Sequence, residues 1–379
     1  MPTATSWAFG ASSQPSRVVD RRAARLAALI DALSTAHLDG LVITNLANVR
    51  YLTGFSGTSA ILVVARPHVI LITDFRYQTQ AASEVGGVAR VLIESQSLWA
   101  GLWRVLPEID PLVVVGFESA HLLHRDFQRL LDSGARWQWR PTTDLVETLR
   151  ERKDPDEVRQ IGEAAGVATR ALARVLGDVR VGMTEIQTAG LLEKALRDEG
   201  TEGFPFPSIV ASGPRAALPH ARSSHRAIES GDFLLMDFGA EVGGYCADLT
   251  RTVVVGKASG EQREVYDIVR RANEIAAAAV RPGMRGRDAD ALARDYIERC
   301  GYGEEFGHSL GHGLGLEVHE APRLARTADG ILAENAVVTI EPGIYRAGWG
   351  GVRIEDDVHL AAGGPALLTH FTRELLEVG

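Results

Sequence analysis

The sequence of 379 residues contains only two cysteines, Cys246 and Cys300. Two cysteines are too few for a disulfide framework, and they do not form the CxxC pairs of thiolate metal sites. The chain also lacks an apolar run that approaches the roughly 20 residues of a membrane-spanning helix. These absences exclude a disulfide scaffold and a membrane protein, and they predict a protein of the reducing cytoplasm.

Positive charge is also in deficit, because 40 lysines and arginines stand against 49 acids and give a net charge of −9. A net negative protein repels polyanions, and no basic cluster with interleaved aromatic residues offsets the repulsion. Nucleic acid is therefore excluded as a partner.

The length predicts two domains, since it exceeds the size of one ordinary hydrophobic core. Residues 1–16 lack a basic stretch followed by an apolar segment, so they are predicted to be a mobile leader rather than a secretory signal. Helical and strand-like patterns alternate over 17–150, which is typical of an α/β domain. A dense charge run follows and contains Pro155, a favoured first residue of a helix. The second domain is therefore predicted to span 151–379.

The amino-terminal domain is predicted from its hydrophobic periodicity. A helix is expected from residue 17 to about residue 33, and a second helix over 121–131. Short apolar runs predict strands over 40–44, 60–64, 69–73 and 111–116.

An internal repeat divides the second domain. Val179-Arg-Val-Gly-Met returns as Val280-Arg-Pro-Gly-Met, each between two helical patterns, and Gly200 and Gly301 stand at the same offset after them. A duplicated unit of two helices followed by strands is the economical interpretation. Two such halves facing each other would leave a cleft between their sheets, where a ligand is expected to bind.

Two acids lie in apolar strand patterns on either side of Gly243-Gly244. Asp237 is the only acid of the run 233–239, where burial of an unpaired carboxylate would be costly, and Asp248 lies in the next strand pattern. A turn at the glycines would place Gly239 opposite Asp248, so that both acids project from one face, a diagonal step apart. Their oxygens are then able to share ions, although a solvated acid and a salt-bridged acid remain the alternative.

A glycine-rich segment carries His308, His312 and His319, three of the eleven histidines within twelve positions. Glycine permits close approach of the backbone to a ligand, and neutral imidazole binds divalent ions well. A single histidine in an apolar segment is more often a core residue, but the cluster favours a binding site.

Two further acids interrupt apolar patterns near the end of the chain, Glu341 and Glu355. Four carboxylates and one imidazole can hold two divalent ions about 3.5–4 Å apart, and such a pair supports hydrolysis by a bridging hydroxide. Oxygen donors with one nitrogen and no sulfur favour Mn²⁺, while Co²⁺ or Zn²⁺ remain open.

These residues resemble the motifs of the pita-bread metallopeptidases, the family of prolidase, aminopeptidase P, methionine aminopeptidase and creatinase. The resemblance covers nearly the whole chain and implies an amino-terminal α/β creatinase-like domain followed by a pita-bread catalytic domain. It implies Asp237, Asp248, His312, Glu341 and Glu355 as the metal ligands. The motifs are Asp237-Phe-Gly, Asp248-Leu-Thr-Arg, His312-Gly-Leu-Gly-Leu-Glu-Val-His-Glu, Glu341-Pro-Gly-Ile-Tyr and Gly351-Val-Arg-Ile-Glu-Asp.

The resemblance also implies catalytic roles for other residues. His220 and His319 would bind substrate and transfer protons, and His308 would line the site. Tyr345 and Arg353 occupy family positions near the ligands, and Arg353 shares a strand face with Glu355, where it would support that acid. As the alternative, each of these residues is an ordinary hydrogen-bonded polar group near the sheet.

The activity that the resemblance implies is cleavage of the peptide bond preceding proline. Methionine aminopeptidases usually lack so large an amino-terminal domain, and creatinase lacks the metal ligands. Glu341 would serve as ligand and general base, while His319 would stabilise the oxyanion. The short chain favours a dipeptidase (prolidase). An aminopeptidase P that acts on longer Xaa-Pro-Yaa peptides and a non-catalytic binding module on the same fold are the alternatives.

Two segments carry further expectations. Asn48-Val-Arg-Tyr-Leu-Thr-Gly-Phe-Ser-Gly resembles the loop by which the first domain of prolidase-type enzymes approaches an active site, often across a dimer, and it implies a homodimer. Phe204, Pro205 and Phe206 are candidates for a proline pocket or for plain core, and the sequence leaves both open.

Overall fold

The computed structural model describes residues 20–379. The predicted leader and the first residues of the first predicted helix lie outside the described residues. No helix of the described part is long and apolar enough to cross a membrane. Two domains follow each other along the chain, first an α/β domain and then a larger domain of helices and antiparallel sheets.

The amino-terminal domain alternates helices with short strands. In chain order its elements are α1 (Arg22–Thr35), β1 (Gly40–Ile43), α2 (Leu46–Thr53), β2 (Ala60–Ala65), β3 (His68–Asp74), α3 (Gln78–Glu84), β4 (Arg90–Glu94), α4 (Leu98–Val105), β5 (Val114–Glu118), α5 (His124–Ser133), β6 (Gln138–Thr142) and α6 (Glu147–Glu151).

The six strands form one mixed sheet in the order β4-β3-β2-β1-β5-β6. The pairs β1 with β2 and β2 with β3 are antiparallel, and the others are parallel. Successive residues of β2 enter the apolar cores on opposite faces of the sheet. Because both faces are covered, these strands are continuous apolar runs in the sequence, which is why they were predictable.

Two predictions for this domain are wrong in detail. The strand expected at 111–116 begins only at Val114, because Asp39 Oδ2 accepts the N–H groups of Val113 and Val114 and Pro111 has no N–H to donate. The segment 48–57, expected to be a loop, begins inside α2. The Asn45 side chain caps this helix, and Gly54 ends it with φ of 80°.

The second domain contains the remaining elements. They are α7 (Pro155–Leu176), α8 (Glu185–Glu199), β7 (Ile209–Ser212), β8 (Phe233–Val242), β9 (Tyr245–Val255), α9 (Gly260–Ala279), α10 (Gly286–Arg299), β10 (Gly311–Gly313), β11 (Glu320–Leu324), β12 (Val337–Ile340), β13 (Gly343–Arg346), β14 (Gly350–Arg353), β15 (Asp356–Ala361), β16 (Gly364–Leu367) and β17 (Glu377–Val378).

The predicted repeat is visible in this domain. Helices α7 and α8 cover the sheet β17-β9-β8-β7, and α9 and α10 cover the sheet β11-β10-β12-β15-β16. Each unit also forms an isolated bridge before its second helix, Thr184 with Ala227 and Arg285 with Ile331. The two sheets meet where Glu355 donates its backbone N–H to the Thr250 carbonyl oxygen at 3.1 Å. A cleft lies at this junction.

Candidate metal centre and its cleft

The β8–β9 hairpin places Asp237 and Asp248 on one face. Gly243 and Gly244 form its turn with φ of 59° and 79°, a conformation that residues with a Cβ rarely adopt. Gly239 pairs with Asp248, so Asp237 lies a diagonal step away. The register predicted from the two glycines is confirmed.

His312 presents one ring nitrogen to these acids. Its Nδ1 lies 3.0 Å from the Gly313 carbonyl oxygen. Because a carbonyl only accepts, Nδ1 carries the proton and Nε2 keeps a free lone pair. Nε2 lies 3.8 Å from Asp248 Oδ2 and 3.6 Å from Glu341 Oε1. Burial lowers the pKa of His312 to about 4, so the imidazole is a neutral ligand near pH 7.

Glu355 completes the group from the second half of the domain. Its Oε2 accepts a hydrogen bond from Thr250 Oγ1 at 2.7 Å, across the junction of the two sheets. One ligand atom each from Asp248, His312 and Glu355 lies within 4.8 Å of the other two. These three side chains therefore face one shared point. Glu341 lies beside this point, because its Oε1 is close to His312 Nε2.

The acids of this group fit a divalent cation. Asp248 Oδ1 is buried, and no donor of residues 20–379 hydrogen-bonds to it. A buried carboxylate oxygen without a donor is costly unless a cation faces it. Burial, followed by repulsion from Glu355, raises the pKa values of Asp248 and Glu341 well above their usual range. Burial and then Asp237 raise the pKa of Glu355 to about 8. Bound dications would compensate this crowding of negative charge.

One carboxylate oxygen of Asp237 is bound by a buried arginine and does not face the shared point. Arg353 Nη2 donates to Asp237 Oδ2 at 2.5 Å, and Arg353 Nε donates to Thr250 Oγ1 at 3.0 Å. Burial raises the pKa of Asp237 although Arg353 opposes the shift. All five predicted ligands line one cleft, three of them with ligand atoms within 4.8 Å of one another, while Asp237 is tied on one side to Arg353.

His308 and Tyr345 form a hydrogen-bonded pair beside the acids. His308 Nδ1 donates to the Ser309 carbonyl oxygen at 2.8 Å, so its Nε2 accepts from the Tyr345 hydroxyl at 2.9 Å. The hydroxyl oxygen accepts in turn from Arg353 Nη1 at 2.8 Å. Burial lowers the pKa of His308 to about 4 and raises that of Tyr345 to about 12. Both groups are neutral near pH 7, and together they orient Arg353.

A cleft of about 1310 Å³ leads from this centre along both domains. His220, His308 and His319 line it, as expected from the sequence. The His319 ring packs edge-on against the His312 ring, with the ring centroids 4.4 Å apart. Burial lowers the pKa of His319, and no hydrogen bond from a described residue contributes to that shift. Phe206 also lines the cleft, whereas Phe204 packs against the core.

Arg323 on the cleft wall is not among the residues predicted from the sequence. It pairs with His312 across β10 and β11. Its charge helps to lower the pKa of His319, after the larger effects of burial, Asp237 and His220. Within residues 20–379 no carboxylate forms an ion pair with it. Within β11, Ala321 and Arg323 are two residues apart and both line the cleft.

Comparison with known proteins places these features in a family. Residues 159–362 match the model of metallopeptidase family M24, and residues 25–152 match that of the creatinase/prolidase N-terminal domain. The peptidase YqhT of Bacillus subtilis (strain 168) is 41% identical over 89% of this chain and 96% of its own length. The Xaa-Pro dipeptidase of Pyrococcus furiosus is 34% identical over 93% of this chain and 99% of its own length.

Solved structures show the same architecture. An Xaa-Pro dipeptidase from Bacillus anthracis matches with a TM-score of 0.90 and 38% identity, over 94% of this chain and 100% of that chain. An X-Pro aminopeptidase from Thermotoga maritima MSB8 matches with a TM-score of 0.87 and 38% identity, over 93% of this chain and 99% of that chain. The predicted fold, a creatinase-type α/β domain before a metallopeptidase domain, is confirmed.

Proposed function

This chain belongs to metallopeptidase family M24, and from that premise we propose that it hydrolyses the peptide bond preceding proline with two divalent ions. The observation that carries the proposal is that four acids and a neutral imidazole line one cleft, with a buried Asp248 oxygen that accepts from no donor of residues 20–379. The proposed ligands are Asp237, Asp248, His312, Glu341 and Glu355.

The bound ions would polarise the scissile carbonyl and provide a nucleophile from water at neutral pH. Mn²⁺ is the proposed metal because the donors are oxygens and one imidazole nitrogen without sulfur, and Co²⁺ or Zn²⁺ are the alternatives. The family uses divalent metal ions, and the choice among them is the proposal.

Glu341 is proposed to hold the proton of the attacking water. Its carboxylate lines the cleft beside His312, with Oε1 3.6 Å from Nε2, and a carboxylate in reach of the substrate can accept a proton as a general base. His319 is proposed to donate to the oxyanion, because its ring faces the cleft beside His312. His220 lies on the same wall and is proposed to bind the substrate.

Arg353, Tyr345 and His308 are proposed to orient the ligands rather than to react. Arg353 links Asp237 of the first half to Thr250, and Thr250 in turn bonds Glu355 of the second half. A network in which every member is bonded fixes its side chains in one arrangement. The three residues thereby keep the two halves of the centre in register.

A dipeptide is the favoured substrate because Arg323 lines the cleft and forms no ion pair with a carboxylate of the described residues. The carboxylate of a carboxy-terminal proline needs a cationic partner, and an arginine binds a carboxylate through two parallel hydrogen bonds. The size of the cleft supports the alternative, since about 1310 Å³ exceeds the typical 300–1,000 Å³ of small-ligand pockets and leaves room for an Xaa-Pro-Yaa peptide. The binding-module alternative is disfavoured, because all five proposed ligands are present.

Hydrolysis of Ala-Pro, Ala-Pro-Ala and Ala-Ala with added Mn²⁺ tests the proposal. Cleavage of Ala-Pro with little cleavage of Ala-Pro-Ala is expected, and a chelator should abolish it. Preferred cleavage of Ala-Pro-Ala would establish the aminopeptidase instead. Cleavage of Ala-Ala alone, or activity that survives the chelator, would contradict the proposal.

The compartment and the assembly are also proposed. Cytoplasmic location is supported by the two free cysteines, which form no disulfide. A homodimer is supported by segment 48–57, none of whose residues lines the cleft of its own chain. Apart from Asn48, which bonds the cleft residue Arg150, the segment is proposed to approach the active site of a partner.

A further inference from the structure

His319 has little to hold its side chain in place. His308 and His312 are each fixed by a carbonyl that accepts from Nδ1, whereas no described residue forms a hydrogen bond with the His319 ring. Its ring contacts the His312 ring and is otherwise open to the cleft. The position of this ring therefore depends on the backbone that carries it.

The next residue, Glu320, is tied down on the opposite side of the chain. Its side chain is 6% exposed, and its carboxylate binds Arg150 through Oε1 and Lys153 Nζ through Oε2, the latter at 3.0 Å. The two cations are 3% and 1% exposed. Although burial opposes them, Lys153 and Arg150 lower the pKa of Glu320, so the carboxylate stays ionised.

The same carboxylate closes the loop that leads to His319. Glu320 Oε1 accepts the backbone N–H of Glu317 at 3.0 Å. A Cβ on Gly315 would lie 2.6 Å from Glu320 Oε2, so this glycine leaves the space that the carboxylate fills. The Gly315 carbonyl oxygen accepts the N–H of Cys246 at 2.8 Å, which joins the loop to the hairpin of Asp248.

The cations come from the amino-terminal domain and the linker that follows it. Arg150 lies in α6, and its Nη1 donates to Asn48 Oδ1 at 2.7 Å. Asn48 donates in turn to Glu118 and Glu147, both at 2.6 Å. Arg150 is thus fixed within its own domain before it reaches Glu320. A shift of that domain would be transmitted to the residue beside His319.

We propose that Glu320, bound by Arg150 and Lys153, is the positioning residue of His319, and that the amino-terminal domain thereby sets the geometry of the active site in its own chain. The inference rests on the proposed function, in which His319 acts on the substrate. The chemistry needs such a support, since a displacement of about 1 Å at a catalytic group can lower a rate about 100-fold.

A double-mutant cycle between Arg150→Met and His319→Ala tests the inference. Arg150→Met alone should lower kcat for Ala-Pro about 10- to 100-fold with KM and Mn²⁺ stoichiometry unchanged. In the His319→Ala background the same change should cost less than about 2-fold, because residues that act through one another are not additive. An equal loss in both backgrounds, as a merely structural role gives, would overturn the inference.

Arg25→Met is the matched control, because Arg25 forms a partly buried ion pair with Asp154 at 2.8 Å between the same domains but does not line the cleft. It should lower the thermal midpoint while kcat stays within about 2-fold, as expected for a residue outside the site. If Arg150→Met does not fold, Glu320→Gln, which keeps the size of the side chain, takes its place in the cycle with the same expectations.

The outcomes separate the inference from the function on which it rests. If the unaltered chain does not cleave Ala-Pro, or if His319→Ala leaves kcat unchanged, the proposed function and the inference are both wrong. If His319→Ala lowers kcat and the effects of the two substitutions multiply, only the inference is wrong. If the losses in kcat caused by Arg150→Met and His319→Ala do not multiply in the double variant, and Arg25→Met leaves kcat unchanged, the inference stands.

Discussion

Arg353 and Asp237 form a buried ion pair between the two halves of the catalytic domain, with Nη2 2.5 Å from Oδ2. Asp237 belongs to β8 of the first half and Arg353 to β14 of the second. The side chains are 4% and 12% exposed, so the pair is shielded from water. A proposed metal ligand is thus held by a residue of the other repeat, which ties the integrity of the centre to the packing of the two halves.

Arg353→Met should be strongly destabilising. Removal of one partner of a buried ion pair leaves the other charge unpaired and typically costs about 3–5 kcal/mol. Arg346→Met in the neighbouring strand is the control, because its partner Glu261 is 52% exposed and such pairs contribute at most about 1 kcal/mol. Urea unfolding of the metal-free variants measures both, and equal losses would contradict the role given to Arg353.

Glu341→Gln should lower kcat by about 100- to 10,000-fold, the usual range for loss of a general base. The amide keeps the size of the side chain but cannot hold the proton. Glu334→Gln serves as the control, because Glu334 is an exposed glutamate that does not line the cleft. Initial rates on Ala-Pro with saturating Mn²⁺ measure the effect. Substantial activity in Glu341→Gln would remove this residue from the proposed mechanism.

Arg323→Met should raise KM for Ala-Pro about 10- to 100-fold, since a hydrogen bond to a charged group contributes about 1.5–3 kcal/mol. Ala-prolinamide, which has no carboxylate, should be hydrolysed equally by the variant and the unaltered chain. Arg326→Met is the control, because that arginine pairs with Glu298 at 3.0 Å. A similar loss on both substrates would show that Arg323 does not bind the carboxylate.

The metal-free chain should lose stability as the pH rises from about 4.5 to about 8. Burial and Asp237 raise the pKa of Glu355 from 4.5 to about 8, so within this window the folded chain keeps a proton that the unfolded chain releases. Its contribution is complete below the lower value and is lost above the upper one, with a slope of about 1.4 kcal/mol per pH unit.

Denaturation of the chelated protein across this pH window measures the slope. Glu355→Gln should remove the share of the slope that Glu355 contributes, and the raised pKa values of Asp248 and Glu341 should maintain the remainder. Saturating Mn²⁺ should remove the slope, because an ion requires the ionised carboxylate and supplies the missing positive charge. A chelated chain whose stability rises over the same window would contradict the assigned pKa shift.

Gly311→Ala should disrupt the segment that carries His312. A Cβ at this position would lie 2.0 Å from the Thr339 carbonyl oxygen, a contact that only a backbone shift can relieve. A loss of about 1–3 kcal/mol is expected for such overpacking. Gly162→Ala is the control, since nothing lies within 4 Å of its Cβ position in α7, and a gain of about 0.5–1 kcal/mol is expected. Thermal unfolding separates the two, and a neutral Gly311→Ala would contradict the close approach.

The metal hairpin was predictable because its determinants are local. Two adjacent glycines mark the turn, and the period of two along a strand then fixes which face Asp237 and Asp248 share. Glu341 was recognisable for a similar reason, since it is a lone charge at the end of an apolar run, whereas Glu355 stands beside Asp356 and Asp357 and was recognised through its family motif. At Asp237 and Glu341 the cost of burying a charge was visible in the sequence itself.

The partners of those residues were not predictable, because they come from distant parts of the chain. Thr250 bonds Glu355 across the junction of two sheets, and Arg150 meets Glu320 across the domain boundary. A charge run such as the one around Arg150 ordinarily indicates a solvated surface, yet this arginine is almost fully buried. Long-range pairings of this kind depend on how the domains pack, which no local pattern encodes.

Anomalous diffraction from crystals loaded with Mn²⁺ tests the central claim most directly. Two peaks should lie among Asp237, Asp248, His312, Glu341 and Glu355, with His312 bound through Nε2 and Asp248 Oδ1 in contact with an ion. No peak at this centre in an enzyme that cleaves Ala-Pro, or peaks at other residues, would contradict the account.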